Sequence, residues 1–144
     1  MNAIIPFAAG LPICSFACDL SAETPQIRVS IQAKGENGND AKIVSALSRE
    51  FRKLDGISVT DTQPALKIVC VVIRDELVEP RSGDKIPLGY AASAAIVNGV
   101  DNRFLLNLVH TDATIDRLAH EIAIETDGTI IEPMRRAAQP SSSP

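Results

Sequence analysis

The side chains best suited to acid–base or metal chemistry in this chain are its two histidines, His110 and His120, together with Asp112. Imidazole and carboxylate groups can hold a metal ion or exchange a proton with a substrate, so the set could serve a small hydrolase or a metal-dependent enzyme. A zinc-binding helix would carry a second histidine four residues after the first, but position 124 is Ile. The three residues therefore form an enzymatic hypothesis that no recognised motif supports.

The nucleophilic side chains lack the neighbours that would activate them. Ser93 lies among alanines in Ala91–Ala95, and a small-residue strand favours close packing over the display of a nucleophile. Cys70 lies in the apolar run Leu66–Ile73, which is typical of a buried thiol, because a reactive thiol needs an exposed and electropositive setting. We therefore assign no catalytic, cofactor-binding or metal-binding residue from the sequence.

A surface for contact with a partner is indicated by the segment Glu79–Gly89, which contains two prolines, two glycines and charges of both signs. A long loop between two strands is a common position for binding residues. An open edge strand would offer a second route, by pairing with a partner peptide or with a second copy of the chain. The candidate contact residues of the loop are Arg81, Asp84, Lys85 and Tyr90.

Hydropathy patterns predict the elements that would position these residues. Apolar and polar residues alternate with a period of two in several short segments, and two longer segments carry apolar residues at helical spacing. Asp40 is expected to cap the first helix, and Thr111 or Asp112 the second. The predicted strands are 26–33, 57–61, 66–73, 90–98 and 103–110, and the predicted helices are 41–54 and a segment containing 115–122.

This order predicts an α+β fold, a two-layer sandwich with a mixed five-stranded sheet and two helices on one face. The crossover through the first helix should bring strand 26–33 parallel to strand 66–73, and the later strands should form an antiparallel meander. Both helices have a single apolar face, so both can cover the same side of the sheet. Strand 66–73 is apolar on both sides, which predicts a central strand that is covered on both faces or paired on both edges.

The amino-terminal segment is apolar, and the first 26 residues contain no Lys or Arg. Ala3–Ala17 has the length and character of the apolar core of a secretory signal, and small residues permit cleavage after Ala17 or Ala22. The basic start of such a signal is missing, which a start codon assigned too far downstream would explain. We predict an export leader at 1–22, a single α/β domain at 26–137 and a disordered tail at 138–144.

Composition excludes several partner classes. The net charge of −4 and an aromatic content of 3% argue against nucleic-acid binding, which needs basic patches and stacking platforms. The apolar run at the amino terminus is too short for a membrane span and contains two prolines. A lipid anchor at Cys18 is not expected, because Ser15 stands where a lipoprotein signal carries Leu.

One segment resembles a known family. Leu47–Val59, with the sequence LSREFRKLDGISV, is a helix that runs through a glycine turn into a strand. With the element order around it, the segment resembles the small α/β domains of bacterial envelope proteins, such as the amino-terminal domain of the Tol–Pal translocation protein TolB and related lipoprotein-type modules. The resemblance covers Gln26 to about Arg136. It implies a binding or assembly module, and it transfers no functional residue to this chain.

The leading hypothesis from the sequence is a non-enzymatic, exported module of the bacterial cell envelope that binds a protein partner or itself. Such a protein would be periplasmic or secreted. The first alternative is the enzyme that would use His110, Asp112 and His120. The second is a cytoplasmic accessory or immunity-type protein, in which the apolar amino-terminal arm packs onto the domain.

Overall fold

The computed structural model describes residues 26–139. Residues 1–25 and 140–144, which include the predicted leader and most of the predicted tail, lie outside the described part. The elements are β1 (Ile27–Gly35), α1 (Asn39–Phe51), β2 (Ile57–Val59), β3 (Leu66–Val78), β4 (Lys85–Asn98), β5 (Phe104–Asp112), α2 (Ile115–Thr126), a π-helical turn (Asp127–Ile131) and α3 (Glu132–Ala138).

The five strands form one mixed sheet in the order β2-β1-β3-β4-β5. β1 is parallel to both of its neighbours, with Val29 beside Val59 on one side and beside Leu66 on the other. β3, β4 and β5 form the predicted antiparallel meander. The predicted α+β architecture is therefore confirmed, and so is the parallel pairing of the first strand with the third.

The core lies between the sheet and the two long helices, which cover one face of the sheet. Helix α1 buries Ile43, Leu47 and Phe51 completely, because these residues recur every three or four positions and share one side of the helix. Helix α2 contributes a similar stripe, and every second residue of the strands faces this layer. The buried strand residues include Val29, Ile68, Cys70, Val72, Ala94 and Ile96.

Both predicted helix caps were wrong. Helix α1 begins earlier, after Gly38, whose φ of 77° is left-handed, and Asp40 lies inside its first turn. The cap of α2 is Thr114, whose hydroxyl accepts a hydrogen bond from the Arg117 amide at 3.3 Å. Thr111 and Asp112 belong to β5, because strand pairing with β4 continues two residues beyond the predicted end.

Strands β3 and β4 are longer than predicted, and together they form a hairpin that continues beyond the helix-covered sheet. Backbone pairing runs on to Val78 opposite Lys85, so only residues 79–84 remain as a loop. The register shifts between Asp75 and Glu76, where the pairing partner changes from Gly89 to Pro87. Such a bulge gives a proline a place in a strand, since proline cannot donate a ladder hydrogen bond.

The last described elements form one continuous helical segment, and its pitch changes at the π-helical turn. Helix α2 passes through the π-helical turn at Gly128 into α3, and Arg135 of α3 ion-pairs with Asp127 at 2.9 Å. Arg135 also donates to the backbone carbonyl of Asp55, which fixes α3 to the turn after α1. Within residues 26–139, no helix is both long and apolar enough to cross a membrane.

Candidate functional site

The side of β3, β4 and β5 that faces away from the helices is uncovered and largely apolar. We call this surface the open face. Its branched residues are between 41% and 67% exposed, although Val and Ile are the residue types that folding normally buries. Strand pairing places the residues of the open face side by side, and they are Val69, Val71, Ile73, Ala91, Ser93, Ala95, Asn107, Val109 and Thr111.

The open face has the shape of a ridge beside a groove. Val69, Val71 and Ile73 of β3 form the ridge, and each is paired with a small residue of β4. The small residues Ala91, Ser93 and Ala95 form the floor of the groove, and the side chains of β5 form its far wall. The two walls lie two strand spacings apart, about 10 Å.

Two polar side chains of the groove are hydrogen-bonded to each other within the sheet. The Ser93 hydroxyl donates to the Asn107 side-chain oxygen at 3.2 Å, across the β4–β5 pair. A partner that covered the groove would leave this pair hydrogen-bonded, which lowers the desolvation cost of burying these two side chains. Ser93 has this structural bond and no histidine partner in the described part of the chain, so it is not placed as a nucleophile.

On β1 the same side of the sheet is polar. Arg28, Gln32 and Lys34 are exposed there, with Ser30 between the first two. The apolar surface is therefore confined to β3–β5 and is bounded by polar residues along β1. An apolar patch with a polar rim is typical of protein interaction sites.

The β3–β4 hairpin extends the open face. We call its outer part, residues 74–89, the hairpin arm. Leu77 and Ile86 are paired with each other on the side that continues the open face, and they are 53% and 44% exposed. The opposite side of the arm carries a charged cluster, in which Glu76 ion-pairs with Arg74 at 3.3 Å and with Lys85 at 3.2 Å, and the exposed Val78 lies beside it. The arm is therefore amphipathic.

The four predicted contact residues are divided between the arm and its base. Arg81 and Asp84 are exposed in the loop 79–84, where the Glu79 amide donates to the Asp84 carbonyl at 2.9 Å. Lys85 begins β4 and pairs with Glu76, while Tyr90 lies at the base of the arm and faces the helices. The structure thus brings three of the four to the end of the arm and separates Tyr90 from them.

Tyr90 lines a shallow cleft of about 640 Å³ between α1 and the start of α2. The cationic groups of this cleft are Lys42 and Arg49, and Arg49 is bound to Asp116 at 2.9 Å. Because Asp116 neutralises Arg49, the cleft offers a partner less positive charge than its residue types suggest. We therefore place the candidate site on the open face and not in this cleft.

The most buried ionisable group of the helical layer is Glu50, whose side chain is 7% exposed. Its carboxylate accepts a hydrogen bond from the Lys53 ammonium at 2.6 Å, lies 3.2 Å from His120 Nδ1 and contacts Arg49 at 3.5 Å. The hydrogen bond from Lys53 outweighs burial, and with His120 it lowers the pKa of Glu50 from 4.5 to about 2. Glu50 joins α1 to α2, which is a structural role.

The three residues of the enzymatic hypothesis each have a different partner. His110 Nε2 lies 3.0 Å from a carboxylate oxygen of Glu125, and His120 contacts Glu50. Asp112 accepts from the Thr114 amide and ion-pairs with Arg117 at 3.3 Å. No group of three or more His, Cys, Asp or Glu residues in the range 26–139 is arranged to hold a metal ion. The structure does not bring the three predicted residues together as one site.

Cys70 lies in β3 on the buried side of the sheet, with no exposed surface. Burial raises the pKa of its thiol to about 11, so the reactive thiolate is not formed near neutral pH. The expectation of a buried thiol at this position is confirmed.

Sequence reasoning did not identify the open face as the site. The signal was present in strand 66–73, which is apolar on both sides, whereas the described residues include two long amphipathic helices. Two helices of 12 and 13 residues can cover one side of a five-stranded sheet but not both. The second apolar side of β3 therefore needs a cover that the described residues do not supply.

The chain has a two-layer α+β fold with one open side of the sheet. No family model matches the sequence, and no curated protein is similar to it in sequence. Among solved structures, a Xanthomonas campestris protein of the family DUF330 has a TM-score of 0.55 at 12% identity, over 81% of this chain and 92% of the other.

TolB from Acinetobacter baumannii gives a TM-score of 0.50 at 10% identity, over 72% of this chain and 28% of the TolB chain. A minor lipoprotein of Acinetobacter baumannii gives 0.43 at 10% identity, over 71% and 93% of the two chains. At these identities, the first two similarities show a shared fold and nothing more. The resemblance to TolB predicted from the sequence is confirmed at the level of the fold, for a part of TolB.

Proposed function

We propose that this protein is an exported, non-enzymatic binding or assembly module of the bacterial cell envelope, and that its open face holds a protein partner. The observation that carries the proposal is the uncovered apolar ridge of Val69, Val71 and Ile73 beside a groove of small residues. Covering a half-exposed Val or Ile contributes about 1 kcal/mol, so a few such residues provide a useful binding energy.

The hairpin arm would supply the edge of the interface. Leu77 and Ile86 add apolar surface next to the open face, and Arg81, Asp84 and Lys85 add charges at the end of the arm. An apolar centre with a polar rim is the usual composition of a protein interface. The loop residues predicted from the sequence thus keep a role, as rim contacts of a larger surface.

Export is supported by the composition of residues 1–22 and by the fold shared with part of TolB. The non-enzymatic role is supported by the separate partners of His110, Asp112 and His120 and by the raised pKa of Cys70. A single α/β domain at 26–137 that follows a removable leader is part of this proposal.

Export is tested by the mass of the protein that cells accumulate. The full chain is expressed in a Gram-negative host, the cells are fractionated, and the amino terminus is determined by mass spectrometry. We expect the protein in the periplasmic or envelope fraction, with an amino terminus at Cys18 or Glu23, the residues that follow the two predicted cleavage sites. An uncleaved chain in the cytoplasm would favour the accessory-type alternative and contradict this proposal.

Binding through the open face is tested with a matched pair of substitutions. Val71→Asp places a carboxylate in the centre of the open face, and Ile124→Asp places one on the outer side of α2, where the side chain is 52% exposed against 48% for Val71. We expect V71D to abolish co-purification with the envelope partner and I124D to retain it. Equal recovery with both variants would place the binding surface elsewhere.

A further inference from the structure

We infer that the partner of the open face is a second copy of this chain, packed face to face about a two-fold axis that passes close to Val71. This inference rests on the proposed use of the open face and names its occupant. It is carried by three features of that surface: its exposed apolar ridge, the position of its two charges along β3, and its area.

The apolar ridge of the open face can pack against the same ridge of a second copy. The ridge of Val69, Val71 and Ile73 lies directly beside the groove floored by Ala91, Ser93 and Ala95. A two-fold axis that lies in the interface plane, perpendicular to the strands at Val71, reverses the strand direction and stacks the ridge of each copy on the ridge of the other. Contacts of this isologous kind use one patch on both subunits, which closes the assembly as a dimer. Two apolar sheet faces packed in this way form a sandwich about 10 Å thick.

The charges along β3 favour an antiparallel arrangement of the two copies. Lys67 and Asp75 lie on the same side of the strand as Val71, four residues before it and four residues after it. A two-fold axis near Val71 that reverses the strand direction brings Lys67 of each copy opposite Asp75 of the other. A parallel arrangement would place like charges together, which costs binding energy.

The area of the open face fits a weak dimer. Three strands about 4.8 Å apart and about nine residues long at about 3.4 Å each give a footprint of roughly 400 Å² per copy. The hairpin arm adds roughly 100 Å² by the same spacings. The total of about 1,000 Å² for two copies is at the lower limit for specific interfaces, so a weak and reversible dimer is expected.

The first experiment measures association by sedimentation velocity. The full chain is expressed, and the species that accumulates is purified and studied between about 1 and 300 μM, beside V71D and I124D. We expect a concentration-dependent dimer for the unsubstituted protein and for I124D. V71D should weaken association about 100-fold or more, because the two new carboxylates face each other at the axis. Circular dichroism verifies that both variants are folded, which their exposed positions permit.

The second experiment tests the antiparallel register by charge exchange. Lys67→Asp and Asp75→Lys should each weaken association about tenfold, since each places like charges together across the interface. The double variant K67D/D75K should recover association to within about threefold, because both cross-interface pairs are again opposite in sign. If the association of K67D/D75K is weakened by the combined effect of the two single substitutions, the antiparallel dimer is overturned.

The outcomes separate this inference from the proposed function. A protein that stays monomeric at about 300 μM, but loses an envelope partner on V71D, overturns the second copy while the open face keeps its binding role. If the protein stays monomeric and its V71D variant still binds the envelope partner, both the dimer and the binding role of the open face are overturned. Dimerisation that occurs only after the cell has removed the predicted leader supports the dimer. A dimer that V71D does not weaken contradicts it.

Discussion

Glu50 is the residue on which the contact between the two long helices is centred. Its side chain is almost fully buried, and its carboxylate is held by Lys53 and His120, which keeps its pKa at about 2. In the unfolded chain the same group has a pKa near 4.5. The native state therefore binds the proton less tightly than the unfolded state, and Glu50 stabilises the fold only where the carboxylate is ionised.

The pH dependence follows from that difference in pKa. The stabilisation by Glu50 is complete above about pH 4.5 and is lost as the pH falls towards 2, because the unfolded state takes up the proton first. Glu50→Gln should lower the free energy of unfolding at pH 7 by about 1–2 kcal/mol, a moderate value because Lys53 and His120 are more than half exposed.

Urea unfolding of E50Q and of the unsubstituted protein, from about pH 7 down to about pH 3, provides the measurement. The difference between the two should shrink as the pH falls below 4.5. Glu121→Gln, at an exposed position of the same helix layer, should show little difference at any pH. A difference for E50Q that stays constant over the whole range would mean that Glu50 is not held by its cationic neighbours.

Gly99 marks the closest backbone approach at the end of β4. A Cβ atom at this position would overlap the Pro64 carbonyl oxygen, and the Gly99 amide donates to the Ala65 carbonyl at 2.8 Å. Gly99→Ala therefore has to move backbone, and we expect a loss of about 3 kcal/mol or more in the free energy of unfolding.

Gly128 is the matched control for Gly99. A Cβ atom there would meet nothing within 4 Å, and the residue lies in the helical turn after α2. Gly128→Ala should stabilise the fold by about 0.5–1 kcal/mol, because alanine loses less backbone entropy than glycine in a helix. Thermal unfolding of both variants measures the contrast, and similar midpoints for G99A and G128A would contradict the close approach.

At the scale of the element, the hairpin arm is the least supported part of the sheet. Its two strands have one neighbour each and no helix above them, whereas β3 further inward is paired on both edges and covered on one side. Two-stranded segments without cover are marginally stable in water. In dilute solution, the amides of 76–78 and 85–87 should exchange about 100-fold faster than those of 68–72, apart from Pro87, which has none.

Hydrogen exchange at two protein concentrations tests the arm and its role together. At about 1 μM the amides of the arm should exchange fast. At about 300 μM their exchange should slow, because Leu77 and Ile86 are then covered. Leu77→Asp should leave the midpoint of thermal unfolding unchanged within a few degrees and remove the slowing. Protection of the arm at both concentrations alike would contradict its exposure in the free chain.

The order and faces of the elements could be predicted because the periods of two and 3.6 are clear in β1, α1 and α2. The ends of β3 and β4 could not. Arg74, Asp75 and Glu76 have the composition of a loop, and they continue the strand because Leu77 pairs with Ile86 and Glu76 pairs with two cations. Most of those contacts join residues about ten positions apart, which a local pattern does not contain.

The candidate site could be predicted only in part for a related reason. The sequence of β3 shows apolar residues on both sides of the strand, but the pattern does not state which side the helices cover. That choice follows from the direction in which α1 returns to the sheet and from the packing of α2 beside it. The predicted loop residues Arg81 and Asp84 lie at an exposed turn, whereas the uncovered ridge of Val69, Val71 and Ile73 was not predicted.

At the scale of the whole molecule, the two layers are unequal in what they leave exposed. The helical layer presents charged residues that pair with one another, such as Arg49 with Asp116 and Arg136 with Glu132. The sheet layer presents the open face and the arm. This asymmetry distinguishes a charged surface from an exposed apolar one, and it is the basis of the proposed role as a binding module.

The most direct test of that role is a photo-crosslinking experiment in intact cells. A photoreactive amino acid is placed at position 71 in the centre of the open face, or at position 124 on the outer side of α2, and the cells are irradiated. We predict a protein adduct from position 71, with the mass of two copies of the chain, and none from position 124. Crosslinking from position 124 alone, or from neither position, would contradict the claim that the open face is the binding surface.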